Sequence, residues 1–313
     1  MRVLVTGCAG FIGSQIVEQC LASDMDVVGI DSITDYYDVD QKRSNLTRAL
    51  AHPRYNFVHA DILETDLSSL FDGVSVVFHQ AGQPGVRDSW SGFDTYLRLN
   101  VLVTQRLLEA ARSAKLDRFV YASSSSLYGN APAYPTHETD LPAPQSPYGV
   151  TKLAGEHLCG VYGRNFGVPT VSLRYFTVYG PRQRPDMATH RLIEACATGR
   201  SFPMFGDGSK IRDFTFVGDV VSANLAAVSA PLDPGSVMNI AGGASATMKE
   251  LIDLVGEASG RSVILEFHPD AAGDVERTGG DIRRASDLIG WRPAVSLADE
   301  IRQQVAWHRE RRL

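Results

Sequence analysis

Tyr148 and Lys152, four residues apart, form a pair able to move a proton. On a helix the i to i+4 spacing puts phenol and ammonium on one face. A free tyrosine has a pKa near 10, so it acts as a base at neutral pH only with help. A neighbouring cation gives that help by favouring the phenolate. Some twenty residues upstream stands Ala122-Ser123-Ser124-Ser125-Ser126-Leu127-Tyr128-Gly129, where Ser124 can hydrogen-bond the same substrate hydroxyl as Tyr148. Each signal is weak alone. Tyr-x-x-x-Lys arises by chance about once in a chain this long, and a serine run is more often a turn.

The order in which they follow a third motif strengthens both. Thr6-Gly7-Cys8-Ala9-Gly10-Phe11-Ile12-Gly13-Ser14 is a GxxGxxG after a strand and before a helix. The first glycine permits a tight turn, the second admits a phosphate to the backbone, and the third lets helix pack on strand. Free N–H groups and the positive dipole end of the helix then face a pyrophosphate. Asp31 closes the next apolar run, where a carboxylate accepts hydrogen bonds from ribose hydroxyls and repels a 2′-phosphate. No arginine follows at positions 32–35, which favours NAD over NADP. Asp61 and Ile62, after the third run, are placed at the adenine, and Asp61-Ile62-Leu63-Glu64 also reads as a helix capping box.

The elements that must position these residues alternate. Strands are expected at 2–6, 27–30, 56–59, 74–78, 118–121, 170–173 and 237–240, with helical patterns between them. Runs apolar throughout suit parallel strands covered on both faces. The expected fold is α/β, a doubly wound parallel (Rossmann) sheet, which binds ligands beyond the carboxyl ends of its strands. From about Thr177 prolines and a Gly206-Asp207-Gly208 turn break the rhythm. Residues 1–176 are therefore read as the NAD-binding domain, with the chain returning at about 214–241. Residues 177–213 and 242–313 are read as a smaller mixed α/β substrate lobe.

A chain of 313 residues with 44% hydrophobic and 21% charged residues is an ordinary globular one. Its formal net charge of −6 argues against nucleic acid as a partner. Arg309-Glu310-Arg311-Arg312 reads as the solvated last turn of a helix. No apolar run approaches the roughly 20 residues that span a bilayer, and no secretion signal precedes the first strand. Cys8, Cys20, Cys159 and Cys196 lack metal-site spacing and read as reduced core thiols in a cytoplasmic protein, with no metal site.

Taken together, the GxxGxxG, the Asp after strand two, the serines before Tyr-Gly and the Pro147-Tyr148-Gly149-x-x-Lys152 resemble the extended short-chain dehydrogenase/reductases. That family contains nucleotide-sugar epimerases, dehydratases and decarboxylases, and the resemblance covers nearly the whole chain. It implies Tyr148 as base, Lys152 as its partner and ribose anchor, and Ser124 as the third catalytic group. His79-Gln80-Ala81-Gly82 falls at the family's His-x-Ala-Ala cofactor contact, with Gly82 a departure from it. Asn100 and Arg212 match positions facing the substrate and its diphosphate.

Within the family, dehydratases resemble Thr-Asp-Glu, and UDP-glucuronate decarboxylases Thr-Ser-Glu, where this chain has Ser124, Ser125 and Ser126. Without the acidic residues dehydration is excluded and decarboxylation disfavoured. Asp35–Val39, Pro84-Gly85-Val86-Arg87, Arg174–Ala188 and Gly273-Asp274-Val275-Glu276-Arg277-Thr278 resemble the UDP-glucuronate 4-epimerases. Thr177 stands where UDP-galactose-type epimerases usually have Asn. The resemblance implies NAD as cofactor, a nucleotide sugar as partner, and a substrate site including Arg87, Ser125, Ser126, Thr177, Arg184, Arg212 and Asp274. The hydroxyls of Ser125, Ser126 and Thr177, with Arg184, are expected to hold a C6 carboxylate away from decarboxylation. The alternatives are a neutral UDP-hexose 4-epimerase, a UDP-glucuronate decarboxylase, or a non-catalytic NAD sensor on the same fold. Intact Tyr148 and Lys152 speak against the sensor. Apolar stripes at Leu99, Val103, Leu107, Ala110 and at Leu153, Leu158, Val161 match the helices that pair across the family's homodimer.

Overall fold

The computed structural model describes residues 1–311. The first half of the chain alternates strand and helix. It runs through β1 (Arg2–Thr6), α1 (Phe11–Ala22), β2 (Asp26–Asp31), α2 (Val39–Leu50), β3 (Tyr55–His59), α3 (Leu67–Leu70) and β4 (Val76–His79). It continues through α4 (Phe93–Tyr96), α5 (Val103–Ser113), β5 (Arg118–Ser124), α6 (Pro147–Phe166) and β6 (Thr170–Tyr175). Seven parallel strands lie in the order β10-β6-β5-β4-β1-β2-β3, with β10 spanning Ser236–Ile240. Strand order reverses between β1 and β4, so their carboxyl ends open a crevice at the centre of the sheet. Valines, isoleucines and leucines of these strands are almost wholly buried and feed two apolar clusters, one on each face. That is why the sequence shows continuous apolar runs rather than alternation.

The remaining elements are β7 (Thr177–Tyr179), α7 (Ala188–Thr198), β8 (Ser201–Phe205), β9 (Ile211–Phe216) and α8 (Val217–Ser229). After β10 come β11 (Ala244–Thr247), α9 (Met248–Ser259), β12 (Ile264–His268), α10 (Arg283–Ile289) and α11 (Leu297–Glu310). β11, β9 and β7 make a three-stranded sheet, and β12 pairs with β8. A third apolar cluster, including Leu192, Phe202, Leu251, Ile301 and Val305, gives this lobe its own core.

Several local expectations give way to tertiary packing. Asp61 opens no helix: its Oδ1 accepts the Leu63 N–H at 2.8 Å in a turn, and the next helix is α3, capped by Asp66. The expected division of the chain also differs in two places. β9 stays with the smaller sheet, and the chain re-enters the central domain through α8. α10 and Trp291, expected in the lobe, pack on the central core, the indole N–H donating to the Asp219 carbonyl at 2.9 Å. The helix expected from Leu99 is preceded by α4 and by a π-helical stretch, Leu97–Leu102. Its expected stripe faces the sheet: Val103 and Leu107 are buried in the cluster on one face and Leu99 and Ala110 pack partly buried against it. Of the stripe expected on α6, Leu153 and Leu158 are partly buried and Val161 is exposed, as are Val150 on α6 and Leu97 and Leu102 in the π-helical stretch. Arg309 and Glu310 end α11, Arg311 follows, and Arg312 lies outside the described residues.

Candidate active site

β1 ends in a turn made by Gly7, whose φ of +68° is left-handed. A Cβ there would also meet the Ala81 nitrogen at 2.8 Å, and one on Gly13 would meet the Gly7 carbonyl oxygen at 2.2 Å. The turn thus needs glycine to bring α1 down onto the strand end. α1 begins at Phe11 behind Gly10, with no side-chain cap and no acid in its first turn. Its first N–H groups and dipole are left to the cavity in front of them. That cavity is lined by Gly7, Gly10, Phe11, Ile12, Gly13, Asp31, Asp61, Ile62, Ala81, Gly82, Tyr148 and Lys152. All the residues expected at a cofactor therefore share one crevice.

Asp31 sits at its far end, Oδ2 accepting from the Ala9 N–H at 3.0 Å and Oδ1 from the Ile33 N–H at 2.8 Å. Lys42 lines the same end and was missed from sequence, since only the fold brings α2 to this loop. Its Nζ donates to the Thr34 carbonyl at 2.6 Å and lies 4.6 Å from the Tyr37 ring centre. Gly82 lies beside Asn100, where a Cβ would come within 2.7 Å of Oδ1. Asn100 is 2% exposed and lines the first cavity. Its amide accepts from Gln83 N–H at 2.7 Å and donates to the Gln83 carbonyl and to Thr151 Oγ1, both at 3.0 Å.

Tyr148 and Lys152 project from α6, whose start is set by Ser146 capping the Gly149 N–H at 3.2 Å. Burial pushes the Tyr148 phenol up from its ordinary value, opposed by the Ser124 hydroxyl and then by the Arg184 cation. Burial pulls Lys152 down to about 8, against Cys159 and Glu156, and its Nζ lies 4.7 Å over the Tyr121 ring. Glu156, one further helical turn along, accepts from Ser123 Oγ at 2.6 Å and from Arg174 Nε and Nη2 at 3.0 and 2.6 Å. Arg174 and Glu156 are both about 95% buried. Glu156 is another i to i+4 step from Lys152, a signal available in the sequence. Ser123 is thereby committed to the ion pair, which leaves Ser124, Ser125 and Ser126 at the strand end.

A second cavity opens beyond Tyr148, lined by Ser124, Ser125, Ser126, Thr177, Arg184, Arg87, Arg212 and Asp274. Of the residues expected at a substrate, all but Asn100 are on its wall. Tyr148 and Arg184 line both cavities. Three of these side chains have partners that the sequence could not assign. Arg212 forms a close ion pair with Asp274 and donates to the Val275 carbonyl at 2.6 Å. Arg87 stacks over Phe205, 3.8 Å from its ring centre. Arg184 is no surface arginine; its guanidinium, 18% exposed, is forked onto Asp186.

Three stretches far apart in sequence meet around Arg184. Tyr36 donates to Asp88 Oδ2 at 3.1 Å across Gly85, whose φ of +103° and missing Cβ admit the phenol. Gln41 donates to the carbonyls of Arg182 and Gln183, both at 3.2 Å. Gln15 holds the Pro181 carbonyl at 3.0 Å, and Arg182, at φ +68°, is tied to Glu18 at 2.6 Å. The loop between β7 and α7 is therefore clamped from α1 and α2.

A doubly wound sheet, a glycine turn beneath an uncapped helix, and a Tyr-x-x-x-Lys helix shared by two cavities define an enzyme of the extended short-chain dehydrogenase/reductase class. The chain belongs to the NAD dependent epimerase/dehydratase family, whose model matches residues 3–241. It is similar to a UDP-glucuronic acid 4-epimerase from Bacillus cereus solved with UDP-glucuronic acid and NAD, at 43% identity, TM-score 0.96 and 99% of both chains. It is also 43% identical to an uncharacterized UDP-glucose epimerase of Bacillus subtilis, over 98% of both chains. A UDP-glucuronate 4-epimerase of Thermodesulfobacterium geofontis is 34% identical, over 98% of this chain and 96% of the other.

Proposed function

We propose that the protein is an NAD-dependent 4-epimerase that interconverts UDP-glucuronate and UDP-galacturonate. The first cavity suits NAD: an uncapped helix N-terminus for the pyrophosphate, and at the far end an anchored carboxylate with no arginine for a 2′-phosphate. When bound, NAD reversibly accepts hydride from C4 of the sugar. Tyr148 takes the proton from the 4-hydroxyl, Ser124 orients that hydroxyl, and the Lys152 ammonium favours the phenolate. The 4-keto sugar turns about its diphosphate before Tyr148 returns the proton, and C4 emerges inverted.

A uronic 4-keto sugar is a β-keto acid, prone to lose CO₂. The observation that carries the reading is the wall of the second cavity. Ser125, Ser126 and Thr177 offer hydroxyls beside Tyr148 and Arg184, and the strand end supplies no carboxylic acid. Such donors hold a carboxylate without supplying acid-base chemistry at C5. Incubating the protein with UDP-glucuronate and resolving UDP-galacturonate from UDP-pentose tests this. UDP-pentose as the main product would make the protein a decarboxylase.

A second reading, epimerisation of neutral UDP-hexoses, is favoured by Asp186, which already neutralises Arg184. Intact Tyr148 and Lys152 argue against a non-catalytic NAD sensor. We further propose a homodimer through α5 and α6, supported by the exposed Leu97, Leu102, Val150 and Val161. Four buried free cysteines suit a reducing, cytoplasmic setting. Among the described residues no helix is long and apolar enough to cross a membrane.

A further inference from the structure

We infer that Asp186 sets how strongly this site prefers a sugar bearing a C6 carboxylate, by competing with that carboxylate for the Arg184 guanidinium. The inference rests on the proposal that Arg184 meets the sugar at C6. Arg184 donates from Nε to Asp186 Oδ1 and from Nη2 to Oδ2, both at 3.0 Å. One whole edge of the fork is thus occupied, at the junction of the two cavities, by a carboxylate of this chain.

The pair is built to exchange. Its arginine side chain is 18% exposed and its aspartate 38%, so the ion pair is partly hydrated. Such pairs contribute only about 0–1 kcal/mol. A sugar carboxylate seated among Ser125, Ser126 and Thr177 offers the guanidinium a less hydrated partner than Asp186 does. Released, Asp186 is not stranded, because its field already reaches Arg191 on α7, which lines the same cavity. The backbone leading into Arg184 is held in place. Gln41 and Gln15 hold the carbonyls on one side, and Gln304 donates to Gln183 Oε1 at 2.8 Å on the other. The exchange is therefore assigned to the two side chains.

The consequence is a site tolerant of both sugar classes. With a neutral hexose, Arg184 stays paired and no bare cation is buried. With a uronate, Asp186 must be displaced or must share the cation, and binding is weakened by the strength of that pair. Removing the aspartate charge takes the competitor away from the uronate alone.

The test is kcat and KM of wild type, Asp186→Asn and Asp186→Glu with UDP-glucuronate and with UDP-glucose. Asp186→Asn is expected to lower KM for UDP-glucuronate by roughly 5-fold, the equivalent of about 1 kcal/mol. KM for UDP-glucose should shift by less than about 2-fold, and Asp186→Glu, which restores the charge, should restore the wild-type ratio. An unchanged ratio of the two KM values overturns the assignment. So does a rise in both KM values with a lower Tm, which would make Asp186 a loop anchor only. Wild type that turns over UDP-glucose and ignores UDP-glucuronate would instead overturn the proposed function, and this inference with it.

Discussion

Replacing Gly82 by alanine restores the residue usual in the resembling family, yet it should damage this protein. The new Cβ would stand 2.7 Å from Asn100 Oδ1, well inside contact distance. Asn100 cannot swing aside freely. It is 2% exposed and bonded to both sides of Gln83 and to Thr151 Oγ1, which in turn donates to the Tyr148 carbonyl at 2.8 Å. The amide or the Ala81–Gln83 loop must therefore give by about half an ångström, and overpacking of this kind costs about 1–3 kcal/mol. For 313 residues, at about 2.1 cal/mol/K each, that is a fall in Tm of roughly 2–5 °C. Because Ala81, Gly82 and Gln83 line the first cavity, the same shift should weaken NAD by about 10-fold, or 1.4 kcal/mol. Thermal melts and calorimetry with NAD on the apo protein measure both. A double-mutant cycle with Asn100→Ser locates the cause: the two costs should fall short of additive by about 1 kcal/mol. Wild-type Tm and NAD affinity in Gly82→Ala, or strictly additive effects in the cycle, would refute the steric reasoning.

Ser124→Ala should slow turnover by about 10²-fold with the fold intact, and Tyr148→Phe by more, because it deletes the proton acceptor; initial rates with UDP-glucuronate decide. NAD should bind the apo protein far more tightly than NADP, since a 2′-phosphate would face Asp31; equal affinities by calorimetry would contradict this. Light scattering at micromolar concentration should give twice the chain mass, and a monomer would leave the exposed α5–α6 face without its proposed role. Glu300 is pushed up to about 7 by burial, against the hydrogen bond from Tyr179 and with Asp219 adding to the rise. The native state thus holds this proton better than the unfolded chain does. Its contribution to stability is complete below the ordinary carboxylate range and is lost as pH climbs to about 7. The Tm of Glu300→Gln relative to wild type should therefore increase from pH 4.5 to 7.5, and a constant difference would contradict the assignment.

What lay in the sequence was whatever depends on near neighbours. The glycine spacing at Gly7, Gly10 and Gly13 specifies a turn and a close helix, and i to i+4 puts Tyr148 and Lys152 on one face. Apolar runs of four to six residues specify covered parallel strands. The fold and the residues around the glycine turn follow from these, because each rests on contacts a few residues apart or on the order of elements; the residues of the second cavity came only with the resemblance to a known family. Side-chain partners did not follow. That Arg184 is forked to Asp186, Arg212 held by Asp274, and Asn100 pinned under Gly82 depends on strands and loops meeting across 17 to 62 residues or on the bend of one loop. The same holds for Lys42 at the cofactor crevice, for Val103 and Leu107 turning onto the sheet, and for α10 packing on the central core. Local spacing cannot say which of two carboxylates an arginine meets. That choice is made by burial and by the geometry of close packing, which exist only once the whole chain is folded.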